Sequence, residues 1–338
     1  MFYFNAESIH DFIVSVGKAV QSLAPIGYFT RKACRVDDSR LKTQVFNLSF
    51  ENPVGLAAGF DKNAELMDFF YDLGFGFIEI GSLSAKPSQG NDKPRIFRWI
   101  KEKAIINNMG LPNKGIDQVI SRLTEKRDYP VGINISQSSN NTMPLNCVIA
   151  DIAYSFSKAA LVADYIALNI SCPNVNEGKA FENPYALDNL LAELKKRNDQ
   201  VPLLIKLSPD LPRQDLEELI SACSKHSIEG YVISNSQSIQ HNDMQKGLSG
   251  LPLQKISTEL IRKVYQLTNG KVPVVGVGGV DSAASAYEKI KAGASLVQLY
   301  TGLVYQGPMI AKMINKGLVE LLEKDRFSTI SEAVGKSA

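Results

Sequence analysis

Eight short apolar runs in this chain each lead to residues that a buried strand ordinarily excludes. VGLAAG (54–59) runs into Lys62, FIEIGS (77–82) closes on Ser82, VGINIS (131–136) holds Asn134, and YIALNIS (165–171) holds Asn169. LLIKLS (203–208) carries Lys206 and YVISNS (231–236) carries Ser234 and Asn235. PVVGVGG (273–279) contains glycines 276, 278 and 279, and LVQLYT (296–301) closes on Tyr300 and Thr301. A buried amide or ammonium without partners costs a few kcal/mol. One such residue could belong to a structural network. A polar set at the same end of nearly every run, with no carboxylate in it, points to a pocket for a large polar anion. Lys206 is the sharpest member, an ammonium inside a strand with no acidic partner expected on the strands beside it.

Two more features bear on chemistry. GVGG (276–279) and YTG (300–302) follow the last two runs, where glycine lets backbone N–H groups approach a phosphate. Glycines of a tight barrel turn need no ligand, so position carries this reading more than composition. Cys172 lies in N-I-S-C-P-N (169–174), between two asparagines and held by Pro173. A free thiol near pKa 8.5 becomes a workable general base once a neighbouring cation lowers it. Cys147 and Cys223 sit in helical patterns and read as small core hydrophobes.

The elements that must position these residues follow from periodicity. Runs this short and rich in Val and Ile suit strands buried on both faces of a parallel sheet. Between them, 212–226 places Leu216, Leu219, Ile220 and Cys223 on one helical stripe, with Pro212 in the first turn. Ala284, Tyr287 and Ile290 do the same in 281–293, and Gly293 ends that helix. Eight strand–helix repeats over about 260 residues predict an α/β fold, a (β/α)8 TIM barrel, with its active site at the C-terminal strand ends. A doubly wound sheet is the competitor, disfavoured because no Gly-rich dinucleotide turn follows the first strand.

Three pieces lie outside the repeats. Residues 1–40 predict a helical cap, with Ile9, Phe12, Ile13, Val16 and Val20 on one stripe and a second helix after Pro25 carrying Ile26, Tyr28 and Phe29. Residues 41–52 alternate like a hairpin and open the barrel domain, 41–338. Residues 83–112 form a long insertion with apolar content, and such loops are usually functional.

Composition narrows the function classes. Of 338 residues 44% are hydrophobic and 21% charged, an ordinary globular balance that excludes a disordered chain. Lys and Arg number 37 against 35 Asp and Glu, and a net charge of +2 without a basic run argues against nucleic acid. Three histidines (His10, His226, His241) and no C-x-x-C pair leave no metal site to expect. No apolar run approaches the roughly 18 residues of a membrane span, and no signal peptide is expected.

From about Phe2 to Met313 the chain resembles the dihydroorotate dehydrogenases, more specifically the membrane-associated, quinone-linked class 2. The resemblance rests on NPVGLAAGFDKN (52–63), FGFIEIGS (75–82), GNDKPRIFR (90–98), NNMGLPNKG (107–115), GINI (132–135), NISCPN (169–174), IKLSPD (205–210), GLSGLPL (247–253), VGVGG (275–279) and LVQLYTGLVYQGP (296–308). It implies FMN held by Ala58, Gly59, Lys62, Ser82, Asn134, Asn169, Lys206, Ser234, Gly250, Gly279, Tyr300 and Thr301. It implies dihydroorotate or orotate held by Lys62, Asn107, Asn108, Met109, Gly110, Leu111, Asn169, Asn174, Asn235 and Ser236. Cys172 would take a C5 proton while C6 gives hydride to flavin N5. A quinone would enter past His10, Arg98 and Tyr300, with the cap on the cytoplasmic face of the inner membrane. Class 2 enzymes usually carry Ser at the base position, so Cys172 and NNMGLPN resemble class 1, and GINISQSSNN (132–141) lacks the lysine usual in class 2. A class 1-like enzyme using fumarate or a nicotinamide nucleotide, or another pyrimidine-directed flavin oxidoreductase, stays open from sequence.

Overall fold

The computed structural model describes residues 5–123, 125–138, 143–171, 180–242 and 244–338. Helices α1 (Ala6–Gln21) and α2 (Ala24–Cys34) precede a hairpin of β1 (Thr43–Val45) and β2 (Leu48–Phe50). Then come β3 (Val54–Leu56), α3 (Met67–Asp72), β4 (Phe77–Leu83), an inserted pair β5 (Ile96–Trp99) and β6 (Ala104–Asn107), and α4 (Ile116–Ile120). The chain continues through β7 (Val131–Ile135), α5 (Leu145–Ala159), β8 (Tyr165–Asn169), α6 (Pro184–Arg197), β9 (Leu203–Leu207) and α7 (Arg213–Lys225). β10 (Gly230–Ile233) is followed by a second inserted pair, β11 (Gln237–His241) and β12 (Met244–Gly250). Last are α8 (Leu253–Leu267), β13 (Val274–Val277), α9 (Ala283–Lys291), β14 (Ala294–Leu299), α10 (Thr301–Gln306), α11 (Ile310–Asp325) and α12 (Ile330–Ala333).

β3, β4, β7, β8, β9, β10, β13 and β14 close in that order into a barrel, every pairing parallel. All eight expected strands are present. Because side chains alternate along a strand, each contributes one set inward and one outward. The outward set and the helix stripes form the larger core, where a fully buried Leu or Ile contributes roughly 1.5–3 kcal/mol. The inward set starts with Phe77, Tyr165, Leu204 and Leu296, against which the hairpin packs Val45 and Phe50. The hairpin thus plugs the N-terminal end and leaves the opposite end open.

The structure refines several expectations. The insertion 83–112 is not a plain loop: β5 and β6 join β11 and β12 in a four-stranded antiparallel sheet, order β11-β12-β6-β5. Pro212 caps α7 from outside its first turn. Cys223 is buried as expected, whereas Cys147 is exposed at the start of α5. The α1 stripe also splits. Ile13 and Val14 pack on the core, while Phe12 is 58% exposed and Val16 faces out as well. The reason is that α1 docks through a buried Glu7–Arg95 pair at 2.8 Å, a Lys18–Glu65 pair at 3.0 Å, and Gly17 tight against Leu66.

Candidate active site

A cleft opens at the C-terminal end of the barrel beside the four-stranded sheet. Ala58, Gly59, Lys62, Ser82, Asn107, Met109, Leu111, Asn169, Lys206, Ser234, Asn235, Ser236, Gly250, Gly279, Tyr300 and Thr301 all line it. Register explains the grouping. Asn169 and Lys206 are direct partners across β8 and β9, one level from the top. Gly250 ends β12, and its sheet brings Asn107 opposite Gly247.

Other expected residues lie just behind the wall. Asn134 is fully buried and accepts the Ser82 hydroxyl. Asn108 accepts the Asn91 amide at 2.7 Å and donates its N–H to the Arg95 carbonyl at 2.8 Å. Gly110 offers its carbonyl to Ser88. These two shape the 107–111 segment without lining the cleft. His10 bonds the Phe60 carbonyl at 2.9 Å, and the Phe60 ring stands 5.1 Å from His10 and 5.2 Å from Tyr300. Arg98 pairs with Ile105 across β5 and β6, on the same face of the sheet as the cleft residues Ile96 and Ile105, but does not itself line the cleft. Cys172 and Asn174 lie outside the described residues.

Lys206 requires a correction. It is not without an acidic partner: Glu79 of β4, fully buried, puts Oε1 3.8 Å from its ammonium. The partner comes from across the barrel interior, a relation that neighbouring-strand reasoning does not cover. Glu79 is inward-facing by alternation with Phe77, so the single acidic letter in FIEIGS was the available signal. Ile96, Ile105 and Ser249 also line the cleft unannounced, because they ride on the inserted strands.

Electrostatics favour an anion. Lys62 donates to the Gly59 carbonyl at 2.7 Å, and burial, helped by the charge of Arg95, brings its pKa down to about 8. Asp61, beside it, is turned away: its carboxylate accepts the N–H groups of Glu65 and Leu66 at 2.8 and 2.7 Å. Burial pushes Tyr300 up to about 12, so it stays a neutral wall residue. Near β13 the backbone forms a cradle. A Cβ on Gly279 would stand 2.5 Å from the backbone of Gln254, and one on Gly250 would collide with the Lys103 carbonyl. Both residues have positive φ, which only glycine adopts without strain.

Fold and site together define a barrel enzyme with a cationic, amide-lined pocket at its C-terminal face. The dihydroorotate dehydrogenase family model matches residues 40–322. The dihydroorotate dehydrogenase (quinone) of Natronomonas pharaonis is 41% identical over 99% of this chain and 96% of its own. That of Halobacterium salinarum is 42% identical over 97% and 95%. The crystal structure of DHODH from Eimeria tenella in complex with ferulenol superposes with a TM-score of 0.85, at 28% identity, covering 98% of this chain and 95% of that one. The chain belongs to the dihydroorotate dehydrogenase family.

Proposed function

We propose that this chain oxidises dihydroorotate to orotate for pyrimidine biosynthesis, holds FMN, and delivers the electrons to a quinone. The observation that carries the reading is the convergence of Lys62, Asn169, Lys206 and Asn235 on one cleft at the barrel's C-terminal face. The residues fit FMN. The glycine cradle at 278–279 with Thr301 suits a phosphate, while Lys206 suits the electron-rich edge of the ring system. When bound, FMN would supply the hydride acceptor for C6 of the substrate. Lys62 would neutralise the substrate carboxylate, and Asn169 and Asn235 would bind its amide edges, since amides both donate and accept.

Cys172 is assigned the base. Its neighbour Ser171 is buried and bonds the Lys206 carbonyl at 3.1 Å, while Asn235 donates to the Ser171 carbonyl at 3.0 Å. Ser171, the last described residue before Cys172, is therefore tied to the pocket residues Lys206 and Asn235. As thiolate it would remove the C5 proton as the C6–H bond breaks, leaving the C5–C6 double bond of orotate.

Residues 1–40 are read as a cap at the membrane surface, on its cytoplasmic face. Phe12, Tyr28 (63%) and Phe29 (67%) stand exposed on α1 and α2. No single helix among the described residues is long and apolar enough to cross a membrane, which suits interfacial attachment.

The test is anaerobic mixing of the purified protein with dihydroorotate, followed by separate additions of quinone and fumarate. Flavin bleaching by dihydroorotate and recovery with quinone alone are expected; recovery with fumarate alone would assign the soluble type. In Cys172→Ala, bleaching should slow by about two to four orders of magnitude. A loss under tenfold removes Cys172 as the base.

A further inference from the structure

A buried carboxylate lies below the pocket and has no part in the mechanism above. Glu79 is fully buried. Its Oε1 accepts the Asn134 amide N–H at 2.9 Å, and its Oε2 accepts Gln298 at 2.8 Å and the Tyr165 hydroxyl at 3.2 Å. A carboxylate only accepts, so Asn134 must turn its NH2 downward and its carbonyl oxygen upward. That oxygen then accepts a hydrogen bond from the Ser82 hydroxyl. The Ser82 oxygen is left to accept, and the Asn169 amide donates to it at 3.1 Å. Asn169 consequently presents its carbonyl oxygen, which accepts Asn235 at 3.1 Å. One carboxylate thus anchors a chain of four side chains that ends at the pocket, where the Ser171 backbone adds its N–H to the Asn169 carbonyl oxygen at 3.3 Å and its carbonyl to the Asn235 amide at 3.0 Å.

We infer that Glu79 is a positioning residue: with the Ser171 backbone it fixes which atoms Asn169 and Asn235 show to the ligand, and it partly offsets the charge of Lys206. This rests on the function proposed above and extends it to a residue that touches neither substrate nor flavin. Low dielectric strengthens both roles, because a buried chain of bonds is polarised from its charged end.

The experiment compares the unsubstituted protein with Glu79→Gln and with Glu79→Gln/Asn134→Asp. Orotate is titrated against the flavin absorbance, and the flavin midpoint potential is measured. A flavin response to orotate in the unsubstituted protein tests the function reading by itself. The glutamine side chain of the single variant has nearly the same shape but can donate, so the chain loses its fixed direction. Orotate binding should weaken about ten- to a hundred-fold, as when a buried polar pairing is broken, and the potential should move positive as Lys206 loses its counter-charge. The double variant returns an acceptor-only group beneath Ser82. Orotate affinity should rise about tenfold relative to Glu79→Gln, and the potential should fall back. A purely structural role predicts the opposite for the double variant, namely a lower melting temperature and no recovery. If Glu79→Gln fails to retain flavin, retention by the double variant supports the assignment. Equal failure of both variants, or unchanged affinity and potential in Glu79→Gln, overturns it.

Discussion

Lys62 shows how a single side chain can make ligand binding depend on pH. Its pKa of about 8 means that it is largely protonated at neutrality but not far above it. An anionic ligand favours the charged form and therefore raises this pKa. By linkage the same ligand binds the protonated protein better, so affinity falls as pH rises through about 8. Orotate titrations from pH 7 to 9.5 should show this weakening, and calorimetry in buffers of different ionisation enthalpy should show proton uptake near pH 8. Lys62→Met should bind more weakly at pH 7 and lose the pH dependence. An unchanged profile in that variant would place the titrating group elsewhere. At this scale the sequence was informative wherever a polar letter interrupted a strand, as with Lys206 and Asn169. It was silent on what Glu79 meets, because its partners, Asn134, Tyr165 and Gln298, come from three separate strands.

Elements behind the glycine cradle carry another buried ammonium. Lys289 reaches from α9 under α8, where it is fully buried. It donates to the Gln254 carbonyl at 3.2 Å, to Ser257 at 2.5 Å and to Thr258 at 2.9 Å, all uncharged oxygens. The Ser257 hydroxyl lies 2.9 Å from the Gly278 carbonyl, so this lysine braces the loop between β13 and α9. Burial brings its pKa down to about 7. The unfolded chain, with an ordinary lysine pKa, then holds the extra proton between about pH 7 and 10. Stability should accordingly rise with pH across that window and be lost as pH falls toward 7. Relative to Lys289→Met, the native protein should gain up to a few kcal/mol in urea unfolding between pH 7 and 9.5. The methionine is expected to fit, because Ser257 and Thr258 keep backbone acceptors at 2.8 and 2.7 Å. Parallel stability curves for the two proteins would show that Lys289 does not titrate there.

The whole molecule joins a barrel to two helices that expose their larger apolar side chains. Removing residues 1–40 would strip Glu7 from Arg95, whose guanidinium also holds the Gln89 and Asn91 carbonyls at 2.6 and 2.9 Å. Since Asn91 in turn bonds Met109 and Asn108, such a deletion would disturb the substrate segment along with the cap. Surface substitution separates the two effects. Phe12→Ser/Phe29→Ser should lower sedimentation with anionic lipid vesicles by about tenfold, following the loss of apolar area, and should slow reoxidation by a long-chain quinone. Flavin bleaching by dihydroorotate should keep its rate. Equal slowing of both steps would mean that the helices serve the barrel's integrity and have no interfacial role.

Residue type and period determined the eight strands, the helices between them, the hairpin at 41–52 and the polar strand-end residues of the pocket, because a doubly buried parallel strand must be apolar and every departure stands out; Ala58, Gly59, Asn107, Met109, Leu111, Ser236 and Gly250 came from the family resemblance. Tertiary structure decided the rest. The inserted strands β5, β6, β11 and β12 are short and half-polar, and they pair across about 140 residues, so no local pattern announces their sheet. The outward turn of Phe12 and Val16 depended on which face of α1 found Glu7–Arg95 and Gly17 contacts. Periodicity defines a stripe but not what it meets. The Glu79 network exists only because closing a barrel brings strands distant in sequence to face one another across its axis.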